Sequence, residues 1–148
     1  MLALLRHPDQ FQKLKDTPTL IKTAVEEFLR YDTSFLRAWR LTAEDVEIGG
    51  QRIPKGQTVS LMLGAANRDP AQFPDPDRLD ITREPNRHVS FGSGVHFCAG
   101  APLGRREAEI AFTTLLRRLP RLRLVDEGIE WQPNNTFHNL RSLLVTFS

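Results

Sequence analysis

Phe91-Gly92-Ser93-Gly94-Val95-His96-Phe97-Cys98-Ala99-Gly100 places three glycines around the chain's single cysteine. The segment lies directly ahead of a run from Pro102 that has helical periodicity. A thiolate at the start of a helix is favoured by the positive end of the helix dipole, and unpaired backbone N–H groups there can hydrogen-bond its sulfur. Glycines remove the Cβ atoms that would hold the backbone away from a flat, bulky ligand. Cys98 is therefore structural, reactive or a metal ligand, and its surroundings suit the last of these.

Downstream, Leu103, Ala108, Ala111, Phe112, Leu115, Leu116 and Leu119 form an apolar stripe, with Arg105, Arg106, Glu107, Glu109, Arg117 and Arg118 elsewhere around the axis. This predicts one long amphipathic helix ending near Leu119, before Pro120. The tail alternates short apolar runs with polar breaks and predicts small sheets over 120–148. Upstream, residues 67–87 hold four prolines and many charges, including Phe73-Pro74-Asp75-Pro76-Asp77. Such a stretch forms a meander, not a long regular element. Two short β-compatible runs flank Gly49-Gly50, which can supply the positive φ angles of a tight hairpin. A further strand is expected from Thr58 to Leu63. Thr17-Pro18 suits a helix start, and Ile21, Ala24, Val25, Phe28 and Leu29 recur at helical spacing, predicting a helix near 18–31. The opening Met1-Leu2-Ala3-Leu4-Leu5-Arg6-His7-Pro8 lacks a basic leader and reads as the end of a helix stopped by Pro8, as though the chain were truncated.

The 148 residues are 40% hydrophobic and 26% charged, the mix of a single globular domain. Twenty basic against eighteen acidic residues leave a net charge of +2, too small to point to nucleic acid. One cysteine excludes an internal disulfide or a multi-cysteine zinc site and suits a reducing, cytoplasmic compartment. No apolar run approaches the roughly 20 residues that span a bilayer, so no membrane partner is expected. His7, His88 and His138 show no metal-ligand spacing and are expected on the surface or in packing.

The pattern Phe-Gly-x-Gly-x-His-x-Cys-x-Gly at 91–100 resembles the heme-binding signature of the cytochrome P450 family. The resemblance runs from Leu4-Leu5-Arg6-His7-Pro8 to Leu140-Arg141-Ser142-Leu143, with small departures at Leu79, where phenylalanine is usual, and Gly104, where alanine is common. It implies a mainly α fold with small β-sheets (α+β), the C-terminal part of the P450 fold. Within it lie helices over 1–31, a hairpin and strand region over 32–66, the meander over 67–90, the thiolate loop at 91–100, the long helix at 101–119 and terminal strands over 120–148. The family's N-terminal part and long central helix have no counterpart; no Ala-Gly-x-x-Thr-like segment precedes Glu27.

By that resemblance the cofactor is heme b (iron protoporphyrin IX), with Cys98 as axial iron ligand; electron density from a thiolate favours cleavage of the O–O bond. Arg40 and His96 match the propionate partners, although Arg40 also suits an ordinary exposed arginine. Phe91 packs beneath the ligand loop, and Gly92, Gly94 and Gly100 shape that loop. Glu27 and Arg30 match the family's Glu-x-x-Arg motif, joined by Arg78 in a structural network. Ser34, Phe35, Leu36 and Phe137 resemble substrate-pocket positions. The implied activity is a monooxygenase acting on an apolar small molecule, fed by a ferredoxin- or flavodoxin-type donor docking near Arg87, Arg105 and Arg106. The alternative is a non-catalytic, truncated remnant.

Overall fold

Two short helices open the computed structural model, which describes residues 1–125 and 128–147. Helix α1 (Leu2–Leu5) gives way to α2 (Pro8–Asp16), and Pro8 takes the first position of α2, where its missing N–H costs nothing. Pro8 therefore starts a helix as well as ending one. The helix expected at 18–31 divides: Pro18–Leu20 form a single 3-10 turn, and α3 occupies Ile21–Tyr31. Thr17 makes no side-chain cap there, so the fixed φ of Pro18 is what shapes the entry.

Leu4, Leu14, Ala24 and Ile81 are the buried centre, with Phe11, Phe28, Phe112 and Leu116 packed against them. Four helices and the meander thus meet at one apolar core. Phe28 of α3 faces Phe112 of α5 (Ala101–Arg118) with ring centroids 4.8 Å apart, which joins the two longest helices. The meander is held from inside by Phe73, Leu79 and Ile81, all at most 2% exposed. Leucine at 79 fills its site without leaving the side chain in water.

Among the described residues the β structure is three antiparallel pairs. β1 (Arg37–Leu41) pairs with β4 (Thr58–Met62), matching Arg37 to Met62 and Leu41 to Thr58. β2 (Val46–Ile48) and β3 (Gln51–Ile53) form a hairpin in which Gly49 and Gly50 take φ of +58° and +77°, as a two-residue turn of the favoured twist requires. β4 runs straight into a one-turn helix, α4 (Leu63–Ala66). In the tail β5 (Arg123–Leu124) and β6 (Val145–Thr146) make a minimal ladder, supplemented by single bridges Phe35 to Phe137 and Trp131 to Leu140. Among the described residues, no helix is long and apolar enough to cross a membrane.

The expected apolar stripe of α5 is corrected by the packing. Phe112 and Leu116 face the core, whereas Leu103 and Leu115 of the same stripe are 63% and 37% exposed, and Ile110, outside it, is 53% exposed.

Candidate functional site: a cysteine loop over an apolar cleft

Between Phe91 and Cys98 the chain closes on itself. The Cys98 N–H donates to the Phe91 carbonyl at 2.9 Å, the Gly92 N–H to Val89 O at 2.8 Å and the Phe97 N–H to Gly94 O at 3.1 Å. Gly92 and Gly94 adopt φ of +75° and +61°, a region that disfavours any residue with a Cβ. At Gly92 a Cβ would also sit 3.2 Å from the His96 carbonyl. The loop leads through Gly100, the N-cap, into α5. A Cβ at Gly100 would lie 3.8 Å from the Cys98 sulfur, so glycine keeps that side of the sulfur open. Cys98 itself is exposed and unpaired with any other cysteine.

The sulfur opens onto a cleft of about 860 Å³, within the roughly 300–1,000 Å³ of small-molecule and cofactor sites. Its walls bring together residues from three regions: Ser34, Phe35 and Arg40 around β1, Leu61 and Met62 of β4, and Phe91, Gly92, His96 and Cys98 of the loop. Trp39 also lines it, half exposed. Arg40 donates one hydrogen bond, from Nη1 to the Trp39 carbonyl at 2.8 Å. A mostly apolar cleft with a thiol in its floor and an arginine and a histidine on its walls suits a flat apolar group that carries carboxylates. The donor set therefore fits heme.

Four of the expected residues lie away from this cleft. Leu36 lines a separate cavity of about 320 Å³ with Arg37 and Arg68. Phe137 packs on Phe35 at 5.3 Å between centroids without lining the cleft. Gly94 and Gly100 shape the loop from within.

Behind the loop, Glu27 and Arg30 are fully buried and paired two-pronged, Nε to Oε2 at 2.8 Å and Nη2 to Oε1 at 2.9 Å. Arg30 spends its remaining donors on the carbonyls of Asn67, Pro76 and Arg78. The expected role of the Arg78 side chain is corrected here. Arg78 is exposed and enters the network through its carbonyl, while the Arg83 guanidinium reaches Glu27 at 3.2 Å. Arg83 stands in an unremarkable polar stretch, Thr82-Arg83-Glu84, so spacing offered no signal for it.

Asn67 also went unread, because Asn67-Arg68-Asp69-Pro70 looks like a turn. It is fully buried: Nδ2 donates to Thr33 Oγ1 and Ser90 Oγ, each at 2.8 Å, and Oδ1 accepts the Val89 N–H at 2.8 Å. It ties the end of α3 to the strand-like approach to the cysteine loop. His88 takes the second of its two expected placements, in packing. Its side chain is 2% exposed and its Nε2 lies 3.1 Å from the Glu26 carboxylate. His138 stacks on Trp131, 3.6 Å between centroids, and its backbone N–H donates to the Ser34 carbonyl at 2.8 Å. Of the arginines expected to meet an electron donor, Arg105 is paired with Glu26 and Arg106 with Glu109, while Arg87 is exposed.

A thiol is thus presented by a glycine-bent loop at the start of a long helix, beside a buried Glu/Arg network and an apolar cleft. The sequence model of one family, described as Cytochrome P450, matches residues 3–140, and the chain belongs to that family. It is 50% identical over 147 residues to the biotin biosynthesis cytochrome P450 of Bacillus subtilis (strain 168), covering 99% of this chain and 37% of that protein. It superposes with a TM-score of 0.97 and 51% identity on P450BioI, solved in complex with an acyl carrier protein ligated to hexadec-9Z-enoic acid, covering 99% of this chain and 38% of that one. The tirandamycin C-bound monooxygenase TamI matches with a TM-score of 0.95 and 42% identity, over 98% of this chain and 37% of that chain. The chain thus spans somewhat over a third of the length of these relatives.

Proposed function

We propose that this chain carries the heme-thiolate site of a monooxygenase, with Cys98 as the axial ligand of the iron of heme b. The observation that carries the reading is the convergence of Cys98, His96 and Arg40 on one apolar cleft. Cys98 supplies the anionic sulfur; Arg40 and His96 take the propionates, the first with a guanidinium suited to two-pronged binding and the second with one N–H. Phe91 would support the ligand loop from beneath, and Gly92, Gly94 and Gly100 would keep that loop bent and the sulfur uncovered. Glu27, Arg30 and the carbonyl of Arg78 hold the meander in place behind the loop. The heme, when bound, supplies oxygen activation and the insertion of one oxygen atom into substrate.

The substrate class follows from the wall opposite the loop. Ser34 and Phe35 face the cleft, with Phe137 and Leu36 supporting from behind, a mix suited to an apolar organic molecule with few polar groups. The fatty acyl group named for one solved relative, P450BioI, fits that class. Electrons come from a ferredoxin- or flavodoxin-type protein on the cysteine side, where Arg87 remains exposed. An unpaired, exposed cysteine suits a reducing cytoplasm.

The second reading, a chain without turnover of its own, is favoured by one observation: it spans 37% of a relative that matches it throughout. Both readings meet one experiment. The purified chain is reconstituted with hemin, reduced and exposed to carbon monoxide beside Cys98→Ala. A thiolate-type, red-shifted Soret band present only with Cys98 supports the ligand assignment. Identical spectra in the two proteins refute it for this chain.

A further inference from the structure

Glu26 and Glu27 are adjacent on α3 but serve different neighbours. Glu27 binds the meander. Glu26 accepts two bonds from Arg105, Nε to Oε1 at 2.7 Å and Nη2 to Oε2 at 2.9 Å, and its Oε2 also lies 3.1 Å from His88 Nε2. The Ser90 N–H donates to His88 Nδ1 at 3.2 Å, which places the ring proton of a neutral His88 on Nε2, facing Glu26. His88 lies three residues ahead of Phe91, and Arg105 lies seven residues beyond Cys98. The carboxylate of Glu26 therefore touches both roots of the cysteine loop.

From those roots the contacts converge on the ligand. The Arg105 guanidinium lies over the Phe91 ring, 4.7 Å from its centroid, and the His88 ring stands 6.2 Å from the same ring. The Phe91 carbonyl in turn accepts the Cys98 N–H. We propose that Glu26 is a positioning residue for Cys98, a clamp that joins His88 to Arg105 and so fixes the Phe91 ring and the backbone of the ligand loop. Burial opposes ionisation of Glu26, yet the hydrogen bonds from His88 and Arg105 and the Arg105 charge hold its carboxyl at about 2, so Glu26 is charged at neutral pH. The consequence for an iron ligand rests on the heme-thiolate reading above, but the clamp itself is testable without heme.

The test is amide hydrogen exchange, residue by residue, on the full chain. In Glu26→Gln the carboxylate loses its charge and one of its two acceptor oxygens, while the side chain keeps its size. Exchange at the Cys98 amide should rise about tenfold, the factor expected when one charge-assisted pair is lost from a local opening equilibrium. Amides in the β1–β4 ladder and at Phe112 and Leu116 should stay within about twofold of the parent. Arg105→Lys keeps the positive charge without the two-pronged geometry, and should give a smaller rise at the same amide. Should Glu26→Gln fail to fold, Arg105→Lys alone decides the matter. An unchanged Cys98 amide overturns the proposal, and so does a uniform rise along the chain, which would mark Glu26 as a general stabiliser. Either failure leaves the ligand assignment to be judged by its own spectrum.

Discussion

Replacing Glu27 by glutamine tests how much of this fold hangs on one buried carboxylate. Its two oxygens accept from Arg30 Nε at 2.8 Å, Arg30 Nη2 at 2.9 Å, the Asp80 N–H at 2.9 Å and Asn86 Nδ2 at 3.0 Å, with Arg83 Nε at 3.2 Å. Every neighbour is a donor. A glutamine turns one oxygen into an NH2 group that can only face other donors, and it leaves the fully buried Arg30 without its counter-charge. Breaking a buried pair from one side costs about 3–5 kcal/mol. A separate count agrees: two stranded buried donors at roughly 1–3 kcal/mol each give a similar sum. A domain of this size is stable by about 5–15 kcal/mol, so the variant should fold but with much of its margin gone. In urea, with a slope of about 2 kcal/mol per M, the midpoint should fall by roughly 1.5–2.5 M at unchanged slope. Arg52→Ala, which removes the partner of the exposed Asp45 carboxylate, is the control and should leave the midpoint where it was. A fall of less than about 0.5 M in Glu27→Gln, equivalent at that slope to about 1 kcal/mol, would refute the account of the network.

Three further outcomes follow from particular contacts. Gly104→Ala should stabilise by up to about 1 kcal/mol and raise Tm by roughly 2–4 °C, because the new Cβ gains helix propensity. That Cβ would meet the Phe91 ring at an ordinary 3.8 Å, and a lowered Tm would show that it crowds the ring instead. Gly92→Ala should destabilise by about 1–2 kcal/mol through its positive φ alone, and a Tm equal to the parent's would count against the loop conformation described. Acid should loosen the cysteine loop through Glu26: its folded carboxyl titrates at about 2 against an ordinary 4.5, so the local stability of the loop present above pH 4.5 is lost as the pH falls towards 2. Exchange rates at the Cys98 amide, compared between wild type and Glu26→Gln across that range, should converge as the pH falls, and a constant ratio between them would contradict the assignment.

The cysteine loop was legible because its chemistry is local: glycines at positive φ, a thiol and a helix start all lie within one short run. The hairpin was legible for the same reason, since Gly49-Gly50 determines its turn. What escaped was long-range pairing. Glu26 meets His88 and Arg105 from positions more than sixty residues away in the chain, and Arg83 displaces Arg78 at Glu27 only because the meander turns back on itself. Polar partners separated by that distance leave no periodicity to read. Asn67 illustrates the cost of a local rule: a residue type suited to turns is here a buried hub with three side-chain bonds.

Helix α5 carries the same lesson into energetics. At 3.6 residues per turn, Leu103 and Ile110, seven apart, lie on nearly the same side of the axis, while Phe112 and Leu116 lie opposite. The latter pair is packed against the core; the former is largely exposed. A helix with apolar side chains on opposite sides is not the amphipathic surface helix that its charged residues suggested, but one suited to the middle of a larger body. That agrees with a chain that aligns over its whole length with 37% of its relative. One apolar face of α5 meets this chain's own core; the other is formed by the same rules of burial and, within these 148 residues, meets water.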